Sequence, residues 1–308
     1  MALRSLDNAL PSTLERPRKA PKISAAAEAP RVPSVNNENS APTPPPPKPG
    51  DQSIEYIPSE NLTALSDPET KIKNVLEELE SKDWVSVCEA LNDVRSLALH
   101  HQSLLLPILE NVMLVMVKSM KSPRSALCKT SIMASTDIFQ SLGHLLPSTT
   151  KDACAFDHLL LQLLIKASQD KKFVCDEAEK ALETMTSSIS CLPLIKKLQP
   201  FVNHANPRVR AKAAVSVSKC VSKMDIETMK EFGLAVLLQA AAGLLNDRLP
   251  EAREAARGII NSVYNGFSRD TEMKEDDDSA TTESWQDFCS SNLAPISAQS
   301  VAKIVSQQ

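Results

Sequence analysis

The chain has 308 residues, enough for one sizeable core with flanking segments, and its formal net charge is only −4. A charge this small does not suggest nucleic acid or a membrane surface as the main partner, and apolar runs such as Val112–Val117 are far shorter than a membrane span. Seven cysteines are scattered without a CxxC pair or a secretory signal, which is typical of reduced thiols in a cytoplasmic protein.

The first 66 residues predict a disordered, basic, proline-rich tail. Thirteen of the 21 prolines lie in residues 1–68, and residues 1–50 hold seven Lys/Arg against four Asp/Glu. Apolar residues are too sparse there to offset the entropy lost on ordering. The run Pro44–Pro47 favours a polyproline II conformation, which serves either as a stiff spacer or as a ligand for another protein.

Residues 67–268 predict a series of amphipathic helices. Apolar residues recur there at the i, i+3, i+4, i+7 spacing of a helix face, and short polar turns separate the helices in pairs. Beyond them, residues 269–308 hold three Lys/Arg against eight Asp/Glu and predict an acidic linker with a short C-terminal helix. The predicted pairs are 72–79 with 84–98, 104–120 with 123–142, 158–167 with 172–187, 192–203 with 207–221, and 226–245 with 250–267.

The second helices of these pairs recur with a regular period. They begin near residues 84, 123, 173, 207 and 250, so four intervals cover 166 residues, close to the roughly 40–47-residue period of HEAT and armadillo units. Stacked units bury the apolar face that each leaves exposed alone. We therefore predict an all-α superhelix of about five HEAT-like hairpins, or six if Trp285–Val305 forms another. A non-repeating helical bundle is the alternative.

Sequence patterns for catalysis are missing. The six glycines form neither a GxxxxGK[ST] nor a GxGxxG loop, and there is no GxSxG motif. None of the five histidines pairs with Cys, Asp or Glu at metal-ligand spacing on a helix. We expect a binding protein without a cofactor, and not an enzyme.

The turns within the pairs carry an excess of basic residues. All such turns line one edge of a solenoid, so the sequence predicts a basic stripe that attracts an acidic protein surface. A row of solvated helix N-termini is the simpler interpretation, but helix dipoles disfavour cations at N-termini. The basic residues are Lys82; Lys118, Lys121, Arg124 and Lys129; Lys171 and Lys172; Arg208, Arg210 and Lys212; and Arg248, Arg253 and Arg257.

Trp84 opens the second helix directly after the first turn. It fits the apolar stripe of Val87 and Leu91, yet it also stands where an aromatic side chain can cover a partner's surface. The pattern alone supports both roles equally.

These turn sequences resemble the TOG domain family, in particular the domains of CLASP and crescerin-type proteins. The resemblance covers about residues 67–268, and its most specific element is Asp83-Trp84 followed in order by four basic turns. The matching segments are Ser81-Lys82-Asp83-Trp84, Ser122-Pro123-Arg124-Ser125, Asp170-Lys171-Lys172-Phe173, Asn206-Pro207-Arg208-Val209-Arg210 and Leu245-Asn246-Asp247 with Glu251-Ala252-Arg253.

The resemblance implies a function in the cytoplasm, on the cytoskeleton. TOG domains bind the acidic αβ-tubulin heterodimer through this edge, with the Trp of the first turn on β-tubulin, and regulate microtubule growth or stability. The alternative is a generic repeat adaptor for another protein or peptide, and we also hypothesise that the acidic tail folds back on the basic edge. Carried over, the tubulin-binding residues are Lys82, Trp84, Lys121, Arg124, Lys171, Lys172, Arg208, Arg210 and Arg253.

Overall fold

Helices account for almost all regular structure in residues 54–146, 154–275 and 284–306, which the computed structural model describes. The paired arrangement follows the predicted one closely, and no strand occurs in these three ranges. The α-helices are α1 (Pro68–Leu79), α2 (Trp84–His100), α3 (Gln102–Leu105), α4 (Leu109–Met120), α5 (Ser125–Leu142), α6 (Cys154–Lys166), α7 (Lys172–Ser188), α8 (Cys191–Leu198), α9 (Pro207–Val221), α10 (Ile226–Phe232), α11 (Leu234–Leu244), α12 (Pro250–Glu275), α13 (Trp285–Asn292) and α14 (Pro295–Val305).

Three of the predicted helices are interrupted where the backbone cannot continue the α-helical pattern. Short 3-10 turns at Leu106–Ile108 and Gln199–Asn203 each contain a proline, which lacks the N–H of the α-helical ladder. Between α10 and α11, Gly233 adopts φ +111°, which splits the predicted helix 226–245 in two.

The helical pairs stack into one superhelix. Helix α1 packs on α2, α4 on α5, α6 on α7, α8 on α9, and α10 and α11 on α12. Successive second helices also contact each other, from α2 through α5, α7 and α9 to α12. A single apolar cluster runs through all the pairs from Val75 to Val301. The predicted all-α superhelix is therefore confirmed, and the non-repeating bundle is excluded.

A sixth, shorter hairpin closes the C-terminal end of the stack. Helices α13 and α14 pack against α12, and the Trp285 ring lies 5.3 Å from that of Tyr264 and 5.4 Å from that of Phe267. The expected linker is partly helical, because α12 continues to Glu275. Lys230 pairs with Asp270 at 2.7 Å across this extension.

The predicted disordered tail is too long at its C-terminal end. Residues 1–53 lie outside the described residues, but residues 54–66 are placed against the stack, where Ile54 and Leu65 pack on the core. The main-chain oxygen of Ile57 accepts a 2.8 Å hydrogen bond from Arg95 Nη1, and Ser59 Oγ donates to Asp137 Oδ1 at 2.6 Å. The sequence did not predict these contacts, because the segment is rich in proline and poor in apolar residues, and because its partners are far away in the chain.

One apolar segment, Gln102–Met120, is long enough by length and mean hydropathy to cross a membrane, although no uninterrupted apolar run reaches that length. Within the stack many of its apolar side chains are core residues of the second hairpin, although Leu114 is 47% exposed. Val112, Met113 and Met116 are fully buried against neighbouring helices. Such packing is what a core helix requires.

We expect Asp137→Ala to lower the free energy of unfolding by about 3–5 kcal/mol, because it leaves the guanidinium of Arg95 buried without its partner. Arg95 Nε donates to Asp137 Oδ2 at 2.6 Å, and both side chains are 0% exposed. Urea denaturation measures the change. Glu77→Ala, at an exposed position of α1, is the control and should change stability by less than about 0.5 kcal/mol. Equal stabilities of the two variants would contradict a structural role for the pair.

Gly233→Ala should destabilise the chain by about 1–3 kcal/mol, since φ +111° strains any residue with a Cβ atom. Gly243→Ala is the matched control. Gly243 lies inside α11 with open space around a built Cβ, so alanine there should be neutral or stabilise by up to about 1 kcal/mol. Thermal unfolding of both variants measures the difference, and similar shifts would rule out the conformational argument.

Candidate protein-binding edge

Five turns join the helices within the first five hairpins, and we call the surface they form the turn edge. Turn 1 is 80–83, turn 2 is 121–124, turn 3 is 167–171, turn 4 is 204–206 and turn 5 is 245–249. Polar side chains shape four of them by accepting main-chain hydrogen bonds. Asp83 accepts from Val85 N at 3.2 Å, and Ser122 accepts from Arg124 N at 3.2 Å. Asn206 accepts from Arg208 N at 3.0 Å, and Asp247 accepts from Leu249 N at 2.9 Å.

Contacts between side chains link each turn to the next. The guanidinium of Arg124 lies 5.0 Å from the centroid of the Trp84 ring, which joins turns 1 and 2. Lys171 Nζ donates to Ser125 Oγ at 3.0 Å across turns 2 and 3. The remaining links are Arg208 Nη1 to Asp170 Oδ1 at 2.6 Å and Arg210 Nε to Asp247 Oδ2 at 2.5 Å. The prediction that all five turns line one edge is confirmed.

Trp84 has both of the environments that the sequence allowed. The side chain is half-buried and packs against the apolar core, while Arg124 covers a face of its ring. The same residue thus anchors the start of α2 and keeps apolar surface at the turn edge. Beside it, Asp83 stays ionised, because hydrogen bonds from Val85 N–H and Ser86 Oγ, together with the charge of Arg124, lower its pKa.

The eight cations predicted to bind tubulin fall into two groups, exposed and half-buried. Lys82, Lys121 and Lys172 are exposed, and within the described residues no hydrogen bond or ion pair engages their ammonium groups. Arg124, Lys171 and Arg208 are also exposed but contact a neighbouring turn. These six cations are available to an approaching partner.

The other two predicted cations fix turn 5: Arg210 ties it to the preceding hairpin, and Arg253 bonds to its main chain. Arg210 bonds to His204 O at 2.7 Å besides its pair with Asp247, and Arg253 Nη1 donates to Asp247 O at 2.7 Å. Both arginines are half-buried. Local sequence does not reveal this, because Asp247 is 37 residues from Arg210.

The carboxyl group of Asp247 shows how strongly this network favours its charge. Burial by itself raises the pKa of Asp247, but the hydrogen bonds from Leu249 N–H and Arg210, with the charges of Arg210 and Arg253, outweigh it. The net pKa is lowered from its ordinary value. Asp247 therefore contributes stability while it is ionised.

Two residues of this surface were missed by the sequence analysis as functional candidates. Phe173 is 46% exposed in the first turn of α7, unusual for a large apolar side chain. Lys166, the last residue of α6, is only 9% exposed. The signal for Phe173 was its position between Lys172 and the buried Val174, directly after turn 3.

Helix α12 contains the first part of the acidic segment, residues 269–275, whereas residues 276–283 lie outside the described residues. The helix begins at turn 5, and its 26 residues place Glu275 about 38 Å away. The chain resumes at Ser284, and Trp285 packs near Tyr264, some 20 Å along α12 from turn 5. The hypothesis that this segment folds back on the turn edge therefore stays a prediction.

No group of three or more His, Cys, Asp or Glu residues suited to a metal ion occurs among the residues with a described position. Six cysteines are free thiols in the same ranges. The turn edge consists instead of cations, one aromatic ring from each of two turns, and paired carboxylates. Such a surface suits recognition of another macromolecule.

Comparison with known protein sequences shows what the chain resembles. No protein-family model matches the chain. A mouse protein, TOG array regulator of axonemal microtubules protein 1, is 26% identical over 212 residues, which are 68% of this chain and 12% of that protein. The aligned region is thus about an eighth of the length of this curated relative.

Two solved structures share the fold. The TOG domain from C. elegans Zyg9 superimposes with a TM-score of 0.54 at 13% identity, covering 76% of this chain and 81% of that one. A chain from a study of tubulin recruitment by microtubule polymerases with TOG domain arrays gives 0.51 at 11% identity, covering 75% and 45%.

The chain is therefore a HEAT-like helical superhelix. Its resemblance to the TOG domain, first seen in the turn sequences, is confirmed by fold and by similarity to a TOG array regulator.

Arg210→Ala should lower the free energy of unfolding by about 1–3 kcal/mol, because it removes a charged hydrogen bond from the carboxylate of Asp247, whose side chain is 3% exposed. Arg208→Ala is the control and should cost less than about 1 kcal/mol, since its pair with Asp170 is exposed.

The same experiment has a pH dependence of defined sign. Because the pKa of Asp247 is lowered in the folded state, its stabilisation is present above the unfolded value of about 3.9 and is lost as the pH falls through the folded value. The difference between wild type and Arg210→Ala should shrink below about pH 4. A difference independent of pH would contradict the assignment.

Proposed function

We propose that the chain binds tubulin or microtubules through the turn edge and thereby regulates microtubule organisation or dynamics in the cytoplasm. The observation that carries this proposal is the continuous row of five linked turns, with Trp84 at one end and cations along the rest. Similarity to a protein named as a regulator of axonemal microtubules supports it. The chain acts by binding, without a catalysed reaction.

The environments of the predicted residues support different tasks for them. Trp84 and its covering Arg124 offer an apolar and cationic contact at turn 1, and Phe173 offers a second apolar contact at turn 3. The cations Lys82, Lys121 and Lys172 attract and orient the acidic surface of tubulin, which raises the rate of productive encounters.

The remaining cations combine contact with the partner and structural support of the turns. Lys171 and Arg208 contact the partner while they tie turn 3 to its neighbours. Arg210 and Arg253 support binding indirectly by fixing turn 5. The basic, proline-rich N-terminal segment supplies a further attachment for other proteins.

The test is binding of purified tubulin, measured by gel filtration, and of microtubules, measured by co-sedimentation. Lys82→Glu, Lys121→Glu and Lys172→Glu combined should abolish binding, because they replace attraction by repulsion at ammonium groups that have no partner among the described residues. Trp84→Ala should weaken binding at least tenfold, the expected effect of losing an aromatic contact of more than about 1.4 kcal/mol.

A matched charge control separates the edge from bulk electrostatics. Lys73→Glu, Lys180→Glu and Lys196→Glu combined make the same change of net charge at exposed positions away from the turns. This variant should bind nearly as well as wild type. Equal loss in both triple variants would reject the edge mechanism, and a folded wild type with no affinity for tubulin would leave a repeat adaptor for another protein as the function.

A further inference from the structure

An open groove of about 660 Å³ lies between turns 2, 3 and 4. Its volume is in the range of about 300–1,000 Å³ of ligand-binding pockets. Four cations line it, against a single carboxylate, Asp170, which already pairs with Arg208. The lining cations are Lys121, Lys166, Lys171 and Arg208.

Lys166 distinguishes this groove from an ordinary basic surface. Its side chain is nine-tenths buried, yet none of the hydrogen bonds or ion pairs among the described residues involves its ammonium group. Burial raises the pKa of the neighbouring Cys128 thiol, and the charges of Lys166 and Lys171 oppose that rise, so both ammonium groups lie near the groove wall. The Lys166 ammonium group lines the groove and is not enclosed in the core, so an anion in the groove can pair with it directly.

Two helix N-termini reinforce the positive potential. Helices α5 and α7 begin at the groove, and their N-cap residues are Arg124 and Lys171, whose side chains make no capping hydrogen bond. By contrast, α2 and α9 are capped by Asp83 and Asn206. Apart from Val174 N, which donates to Lys171 O at 3.0 Å, the first N–H groups of these two helices have no side-chain cap and can donate to an anion.

We propose that this groove binds an acidic, extended peptide segment, with a carboxylate of the segment paired to Lys166. The groove continues past three turns, which suits consecutive Asp or Glu side chains better than one small anion. The site lies on the turn edge and rests on the proposed function, to which it adds a second mode of contact: a flexible acidic segment of the partner bound beside the folded surface on Trp84.

The test uses a fluorescent polyglutamate peptide and the full chain at low salt, with fluorescence anisotropy as the readout. Wild type should bind, and Lys166→Met should lower the affinity about tenfold, since a charged hydrogen bond in the groove is lost while the volume is kept. Lys180→Met, the same change at an exposed position of α7, should alter affinity less than twofold. A polyglutamine peptide should not bind.

Lys121→Met provides a second variant, because its exposed ammonium group has no partner among the described residues and its loss should not disturb folding. It should also weaken peptide binding, by a few-fold. No binding by wild type, or equal effects of Lys166→Met and Lys180→Met, would overturn the proposal. So would full displacement of the peptide by inorganic phosphate at low millimolar concentration, which would identify a small-anion site instead.

Tubulin binding by the turn edge and peptide binding by the groove can be refuted independently. Trp84→Ala should reduce tubulin binding and leave polyglutamate binding unchanged. A chain that binds tubulin but not the peptide would refute the groove alone. A chain that binds the peptide with the expected dependence on Lys166 but ignores tubulin would refute the proposed function alone.

Discussion

The stacking of apolar helix faces is the interaction on which the whole structure depends. Each hairpin alone exposes a row of Leu, Val, Ile and Met side chains, and only contact with the next hairpin removes that row from water. The resulting core is continuous from Val75 to Val301. Because the second helices lie side by side, their N-terminal turns are brought into register, and residues some 40 positions apart become neighbours. The turn edge is thus a consequence of the core.

The hairpin at each end of the stack has a face that no further repeat covers. Polar contacts cover this face at one end, and aromatic packing covers it at the other. At the N-terminal end, the segment from Ile54 to Leu62 supplies polar atoms to a buried Arg95–Asp137 pair, so that two charges in the core are fully hydrogen-bonded. At the C-terminal end, a sixth hairpin lays Trp285 against the aromatic side chains of α12. Terminal repeats of solenoids are commonly atypical for this reason.

The turn edge combines structural and exposed cations in a way that makes it a rigid surface. Half-buried arginines such as Arg210 fix the turns, which leaves the exposed lysines little entropy to lose through backbone ordering when a partner binds. The cost of holding many like charges together is met by paired carboxylates and, at Trp84, by an aromatic face. Lys166 is largely buried beside the groove, and no ion pair among the described residues engages its ammonium group, which is why an anion is expected there.

The sequence by itself determined the helical pairs, their period and the location of the turns, because apolar spacing and turn residues act over a few positions. It also located the basic residues of the turns, because the charge of a Lys or Arg side chain is a property of the residue itself. Tertiary structure alone decided which cations are free, as Arg210 meets Asp247 only after two repeats stack. It likewise decided the burial of Lys166, the pairing of Arg95 with Asp137 and the ordered segment near Ser59. Those contacts join residues about 36 to 80 positions apart, a distance over which local patterns carry no information.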